Sequence, residues 1–367
     1  AWLQGIMSSR IVMTKELRRL TGEALTYKGS RGILAGIIDE LVGILATLSG
    51  FEISSGTGLT DGETVCEQGL AISPSQAATC AGEFQRTAIF LRGAHSAIRA
   101  ALEKQRGGYI RVLYAGSGPY APLAVPLMTM FSPEKVRFTI LDLHAESIDS
   151  VKSIVSHLGL ARSVECYVTA DACNHTIPSD SLPDVLLCEA MSTALEREPQ
   201  VGIMRHLLRQ APEAIMVPES IQIDAFLVDT STEPDIIIPE SMDPFAARQP
   251  DRIPLGRVLE LNKCTILFWN TIDEDRLPAY SVRLPPTPGA EYRPFLFTTI
   301  QAHGGHTLFT HDCNLTGIRE VTEIDTESAG ETFQFFYQLG KNPRFIAQRL
   351  GDAGPDIPLP ALQFNPK

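Results

Sequence analysis

The feature that most constrains this chain is a block, residues 109–229, in which short apolar runs alternate with helix-like segments. The runs Tyr109–Tyr114, Val136–Leu141, Val164–Val168, Val185–Cys188, Ala214–Val217 and Ile221–Leu227 read as strands. Ala121–Phe131, Ala145–Leu158 and Gly202–Gln210 carry helical spacing between them, and the connections are short. A strand followed by a helix and another strand returns the chain in the same direction, so the sheet expected is parallel and covered by helices on both faces. The first run continues as Tyr114-Ala115-Gly116-Ser117-Gly118, and a strand that ends in such a turn brings bare backbone close to a ligand.

Around this block the texture differs. Residues 14–105 read mostly helical, with Ile33, Leu34, Ile37, Ile38, Leu41, Val42, Leu45 and Leu48 recurring at three and four. A second pattern runs from Ala81 to Lys104, with Phe84, Ala88, Leu91, Ala94 and Ile98 on one side. Ser54–Ser75 between them is rich in Gly, Ser and Thr and reads as a long loop. After Asp229, β-like runs take over at Arg257–Trp269, Tyr280–Leu284, Phe295–Ala302 and His306–Phe309. One more helix is expected within Thr326–Gly351, and the proline-rich tail Pro355–Lys367 reads as extended. The division expected is a helical lid segment over 1–105, an α/β ligand domain over 106–228 and a β-rich domain over 229–367. Met7-Ser8-Ser9 reads as a natural start, so residues 1–6 are given no function.

Charge and cysteine content narrow the partners. A net charge of −12 with no long basic run excludes a phosphate backbone as the expected partner. The most apolar stretch, Ile33–Leu48, carries Asp39 and Glu40, so no membrane span is expected. Seven cysteines at irregular spacing, without CxxC, suggest reduced thiols and a cytoplasmic setting. Cys173 and Cys188 have no histidine at recognisable spacing and are not expected to act as nucleophiles. His303, His306 and His311, with Asp312 and Cys313, could suggest a metal, but Gly304-Gly305 reads as a hairpin turn that would scatter them. No metal is expected.

The chemistry concentrates at strand ends. The second run ends at Asp142, where an acid can accept hydrogen bonds from both hydroxyls of a ribose. The third is followed by a second acid, Asp171. Either acid alone reads equally as a helix cap; their ordered recurrence after a glycine turn points to a nucleoside. The turn lacks the third glycine of a dinucleotide site, which argues against NAD.

In this order the segments Leu113–Gly118, Asp142-Leu143-His144-Ala145-Glu146, Ala170-Asp171-Ala172 and Pro183–Glu189 resemble the class I S-adenosylmethionine (SAM) methyltransferases. That resemblance implies a Rossmann-like SAM-binding domain. It implies SAM contacts at Ala115, Gly116, Ser117, Gly118, Asp142, Leu143, Asp171, Ala172 and Glu189, and His144 would sit by the adenosine. Cys188-Glu189 through Glu198 is similar to the two-glutamate loop of protein arginine methyltransferases, with the acids nine apart. The aromatic after the first glutamate is Ala190 here, and Thr310-His311-Asp312 lacks the Trp of that family's late signature. Gly-Ser-Gly-Pro, followed by Tyr120, resembles the turn of nicotianamine synthases, which transfer the aminocarboxypropyl arm of SAM. Two reactions stand first, ahead of protein arginine methylation and of a non-catalytic nucleoside-binding scaffold. One is methyl transfer to a small-molecule amine or other nucleophile, oriented by Glu189 and Glu198. The other is attack on the SAM γ-carbon with release of methylthioadenosine, either by aminocarboxypropyl transfer or, as in azetidine-forming SAM cyclases, within SAM itself; Tyr120 would bend the arm. The N-terminal helices would form a lid, with Tyr27 and the 54–75 loop as candidate contacts. A homodimer through the β-rich domain is compatible with the resemblance.

Overall fold

The computed structural model describes residues 2–53, 58, 60–105, 107–233 and 250–351, with side chains from residue 10 onward. The tail Pro355–Lys367 and part of the 54–75 loop lie outside the described residues.

Helices α1 (Trp2–Thr26) and α2 (Arg31–Ser49) pack against each other. Ile37, Ile38, Leu41 and Leu45 bury one face of α2, as the three-and-four spacing requires, and Gly50 closes the helix in the left-handed region. Among the described residues, α2 is the one helix long and apolar enough to cross a bilayer; its apolar face packs on neighbouring helices. The expected loop contains a small hairpin, β1 (Thr64–Cys66) against β2 (Gly69–Ala71). Helix α3 (Pro74–Cys80) then starts at Ser73, whose hydroxyl accepts from Gln76 N at 3.1 Å, with Pro74 in the first turn where it lacks no bond. Helix α4 (Phe84–Lys104) buries Phe90, Leu91, Ala94, Ala97 and Ile98.

The α/β block follows: β3 (Ile110–Ala115), α5 (Val125–Met128), β4 (Val136–Asp142), α6 (Ala145–Leu158), β5 (Val164–Thr169), β6 (Val185–Cys188), α7 (Gln200–Gln210) and β7 (Ile215–Val217). The strands are all parallel in the order β5-β4-β3-β6-β7. This is a Rossmann-like domain. Chain direction across the sheet reverses at β3/β6, and a crevice opens there at the carboxyl ends of the strands. The helix expected over Ala121–Phe131 shrinks to α5, because Ala121 takes a positive φ of 41° and Pro126 is tolerated only in a first turn.

Three expectations after residue 210 need correction. The run Ile221–Leu227 belongs to β8 (Ser220–Asp229), which pairs antiparallel and not with the parallel sheet, so the change of sheet comes at Pro218, before the expected boundary. Its partners are β9 (Arg252–Asn262) and β11 (Tyr292–His303). Lys263–Trp269, expected as strand, is helix α8, started by Asn262, whose side chain accepts from Thr265 N at 3.0 Å. Strand β10 (Arg276–Arg283) precedes β11; β12 (His306–Leu308) closes the hairpin across Gly304-Gly305, and β13 (Ile318–Glu320) adds to β11. The helix expected within Thr326–Gly351 is two strands, β14 (Thr332–Gln338) and β15 (Arg344–Arg349), joined to β10 in a second sheet. Phe333, Phe335 and Tyr337 alternate into the core there, a period of two that overrides helical reading.

Candidate active site

The crevice at the ends of β3, β4 and β6 is a cavity with an empty volume of about 960 Å³, its open mouth included. Gly116, Ser117 and Gly118 line its floor, Asp142, Leu143 and His144 one side, and Asp171 and Ala172 the far end. Hairpin β1–β2 and α3 roof it through Cys66, Leu70 and Ala77. Gly118 has a φ of +60°, and a Cβ there would stand 3.2 Å from the Ala77 Cβ, so both backbone shape and the roof demand glycine.

The turn is tied to β4. Gly116 N and Ser117 N donate to the Leu141 carbonyl at 2.9 and 3.3 Å, and Gly118 N donates to Asp142 Oδ2 at 2.8 Å. The turn therefore offers a ligand carbonyl oxygens and bare Cα atoms rather than N–H groups. Asp142 is buried, and its other oxygen accepts from His144 N at 2.9 Å. Each carboxylate oxygen keeps a further acceptor site. His144 Nε2 lies 3.2 Å from Thr64 Oγ1, which joins this acid's neighbour to the roof hairpin. Asp171 accepts from Cys173 N at 2.8 Å and from the Asn174 amide at 3.0 Å, so it caps its own turn as well as lining the cavity.

Sequence reasoning missed Arg86. From α4 it reaches Glu189 at the end of β6, Nε to Oε2 at 3.0 Å and Nη2 to Oε1 at 2.6 Å, a two-pronged pair almost closed to solvent. Burial opposes the Arg86 charge, but Glu189 holds its pKa above the ordinary value. The signal was present: Arg86 lies one turn before Phe90 on the buried stripe of α4, where an unpaired guanidinium would be costly.

Glu198 lines the same cavity, and its carboxyl has no hydrogen bond among the described residues. Burial first, then the Glu189 charge, pushes its pKa up to about 7, against the pull of Arg86 and Arg197. The loop that carries it is strained. Ala194, Leu195 and Arg197 have φ of 54°, 57° and 64°, a region that costs an L-residue roughly 1–2 kcal/mol each. The β-rich domain holds it there: Ala194 N donates to Thr298 Oγ1 at 3.2 Å, Tyr337 OH to Leu195 O at 2.8 Å, and Thr193 Oγ1 to Asn314 O at 2.7 Å. Arg197 N donates to Pro343 O at 2.9 Å, and Leu70 N, from the roof hairpin, to Arg197 O at 2.7 Å. A Cβ on Gly69 would stand 2.8 Å from Arg197 O, so the hairpin meets the loop backbone to backbone. Gln200 ties the loop's start to its end, its side chain accepting from Ala190 N at 2.9 Å and donating to Cys188 O at 3.0 Å.

A second cavity lies behind the first. The two share Ile72, Cys80, Arg86 and Glu198, and the second is closed by Gln76 and Glu83 on one side and by Met191, Glu196 and Arg319 on the other.

Several sequence-chosen residues lie elsewhere. Tyr120 is buried with its ring edge-on to Phe51, 6.5 Å between centroids, and does not line either cavity. The turn after Gly118 swings it onto the apolar N-terminal helices rather than over the crevice. Ala115 ends β3 fully buried and supports the turn without lining the cavity. Tyr27 lines neither cavity, and its carbonyl accepts from Arg92. His303 and His306 face each other across the β11–β12 hairpin, while His311 bonds Glu233 at 2.7 Å. Burial pushes the thiols of Cys173 and Cys188 far up, which removes thiolate character from both.

No family model matches the chain, and no curated protein matches it. Among solved structures it is similar to the crystal structure of PRMT6, with 12% identity over 70% of this chain and 95% of that one and a TM-score of 0.43. It is also similar to Arabidopsis thaliana protein arginine methyltransferase 10, with 11% identity over 68% and 84% of the two chains and a TM-score of 0.42. A SAM-dependent methyltransferase from Thiobacillus denitrificans, in complex with S-adenosyl-L-homocysteine, shares 21% identity over 41% and 52% of the two chains at a TM-score of 0.24.

Proposed function

We propose that the chain is a SAM-dependent transferase that delivers methyl to a small-molecule nucleophile. One observation carries this: a single cavity at the sheet's switch point is walled by the glycine turn, Asp142, Asp171 and the Arg86–Glu189 pair, and shares Arg86 and Glu198 with a second cavity. The groups present match the parts of SAM. Carbonyl oxygens of the turn suit its ammonium, Arg86 its carboxylate, Asp142 the ribose hydroxyls and Asp171 the adenine amine. SAM, when bound, supplies an electrophilic carbon on a sulfonium.

The chain's own residues do the rest by position. Glu189 fixes the Arg86 guanidinium through Nε and Nη2 and Glu83 accepts from Nη1 at 3.4 Å, which leaves two of its N–H groups for a ligand. Glu198, near pKa 7, accepts the proton that an incoming O–H or N–H must lose. The roof hairpin and α3 exclude water, which favours a nucleophile stripped of its hydration shell. Attack at the γ-carbon rested on the Gly-Ser-Gly-Pro turn and on Tyr120; the turn lines the cavity, but the Tyr120 side chain that would bend the arm packs outside it. A guanidinium clamp needs both glutamates free, and Arg86 takes one of them.

The test is incubation of the protein with SAM, alone and with a small-molecule extract, read by mass spectrometry. S-adenosylhomocysteine that forms only with the extract supports the proposal. Methylthioadenosine from SAM alone would replace it with γ-carbon attack.

A further inference from the structure

The first cavity specifies one end of its ligand more closely than the rest, an inference that rests on the donor reading above. Most hydrogen-bond donors in its wall are already spent. Gly116 N and Ser117 N donate to the Leu141 carbonyl, and Gly118 N donates to Asp142. Ala190 N is taken by the Gln200 side chain. Two hydroxyls are spent as well: Thr87 donates to the Ala81 carbonyl at 2.8 Å, and Ser117 to the Gly118 carbonyl at 3.2 Å. The turn thus withholds the backbone N–H groups that often cradle an anion. An anionic ligand group must find its donors on other side chains.

Tyr114 supplies one. It stands on β3 two residues before Gly116 and lines the cavity, although the residue is only 3% exposed. Its hydroxyl makes no hydrogen bond among the described residues, and it opens on the cavity rather than being sealed in protein. Burial first, then the Glu189 charge, holds its proton well above the ordinary tyrosine range, against the pull of Arg86, so the group stays an O–H donor. Arg86, held by Glu189 and Glu83, adds its two remaining N–H groups. A buried hydroxyl without a partner forfeits a hydrogen bond, and a ligand that accepts from it recovers that loss. A carboxylate can accept from all of these donors at once. An ammonium would face the Arg86 charge, and the nearest acid, Glu189, is paired on both oxygens.

We propose that the Tyr114 hydroxyl and the two remaining N–H groups of Arg86 form one carboxylate site, and that Tyr114 makes the cavity select a donor whose arm carries a carboxylate. The probes are S-adenosylhomocysteine and its decarboxylated counterpart, which keeps the nucleoside, the sulfur and the ammonium. Calorimetry on the full chain is expected to show S-adenosylhomocysteine bound at least about tenfold more tightly than the decarboxylated probe. Tyr114→Phe is expected to weaken S-adenosylhomocysteine by about tenfold or more, the worth of one hydrogen bond to a charged group, and to leave the decarboxylated probe unchanged. Because the hydroxyl has no partner among the described residues, the ligand-free variant should match the parent in urea denaturation. Equal binding of the two probes by the parent overturns the proposal. So does a variant that binds S-adenosylhomocysteine as the parent does, weakens both probes alike, or loses stability in step with its loss of binding. If neither probe binds the parent, the donor reading falls, and this inference with it.

Discussion

Glu198→Gln should make the protein more stable while disabling it. In the folded chain the Glu198 pKa is about 7, against an ordinary value of 4.5. Between those values the folded chain holds a proton that the unfolded chain has lost, so stability falls as pH rises through that window. Each pH unit across the window is worth about 1.36 kcal/mol, which gives roughly 3 kcal/mol lost once both states are ionised. Glu198 is only partly buried as a residue, and screening brings the figure to about 2 kcal/mol. Glutamine has the shape of the protonated acid and never ionises. Urea denaturation of both proteins, without ligand, should therefore show the variant more stable by about 2 kcal/mol near pH 8.5 and nearly equal to the parent near pH 4.5. Turnover should fall by roughly 10²-fold or more, the usual worth of a positioned base. A variant no more stable than the parent at high pH, or a gain that does not change with pH, would refute the argument.

Other perturbations separate the roles of neighbouring groups. Arg86→Leu leaves Glu189 buried without its partner and should cost about 3–5 kcal/mol in denaturation; Arg86→Lys, which cannot form the two-pronged pair, should fail to restore SAM affinity by calorimetry. Tyr337→Phe strips the Leu195 carbonyl of its donor, so stability should drop by about 1–3 kcal/mol and kcat should fall with SAM affinity unchanged. Gly118→Ala puts a methyl group at a φ of +60° and 3.2 Å from Ala77; SAM binding should weaken at least about tenfold, the effect of roughly 1.4 kcal/mol of strain.

Much of the site was legible because its pieces are local. Asp142 and Asp171 follow apolar runs whose ends the sequence marks, and Glu189 ends another, so strand assignment alone puts them at one edge of a parallel sheet. Arg86 was not legible in this way, because its place at the site comes from the packing of α4 over that edge. Arg86 meets its carboxylate 103 positions along the chain. Tyr120 failed for the opposite reason: it is adjacent in sequence to the turn, but Ala121 at a φ of 41° redirects the chain. Strand β14 was hidden by Phe336, which joins Phe335 and Tyr337 into one apolar run and so masks the alternation that Phe333, Phe335 and Tyr337 make into the core.

The strained loop sets an order of events during synthesis. The strands that form the crevice end at Val217, so they leave the ribosome before Thr298, Asn314, Tyr337 and Pro343, which hold the loop with Ala194, Leu195 and Arg197 in their left-handed conformation. A nascent chain can thus build a donor pocket while the loop is still free to relax, with Glu198 out of place. On the proposed function, competence for chemistry arrives last, with the final strands, and a truncated product would bind the donor without being able to react it.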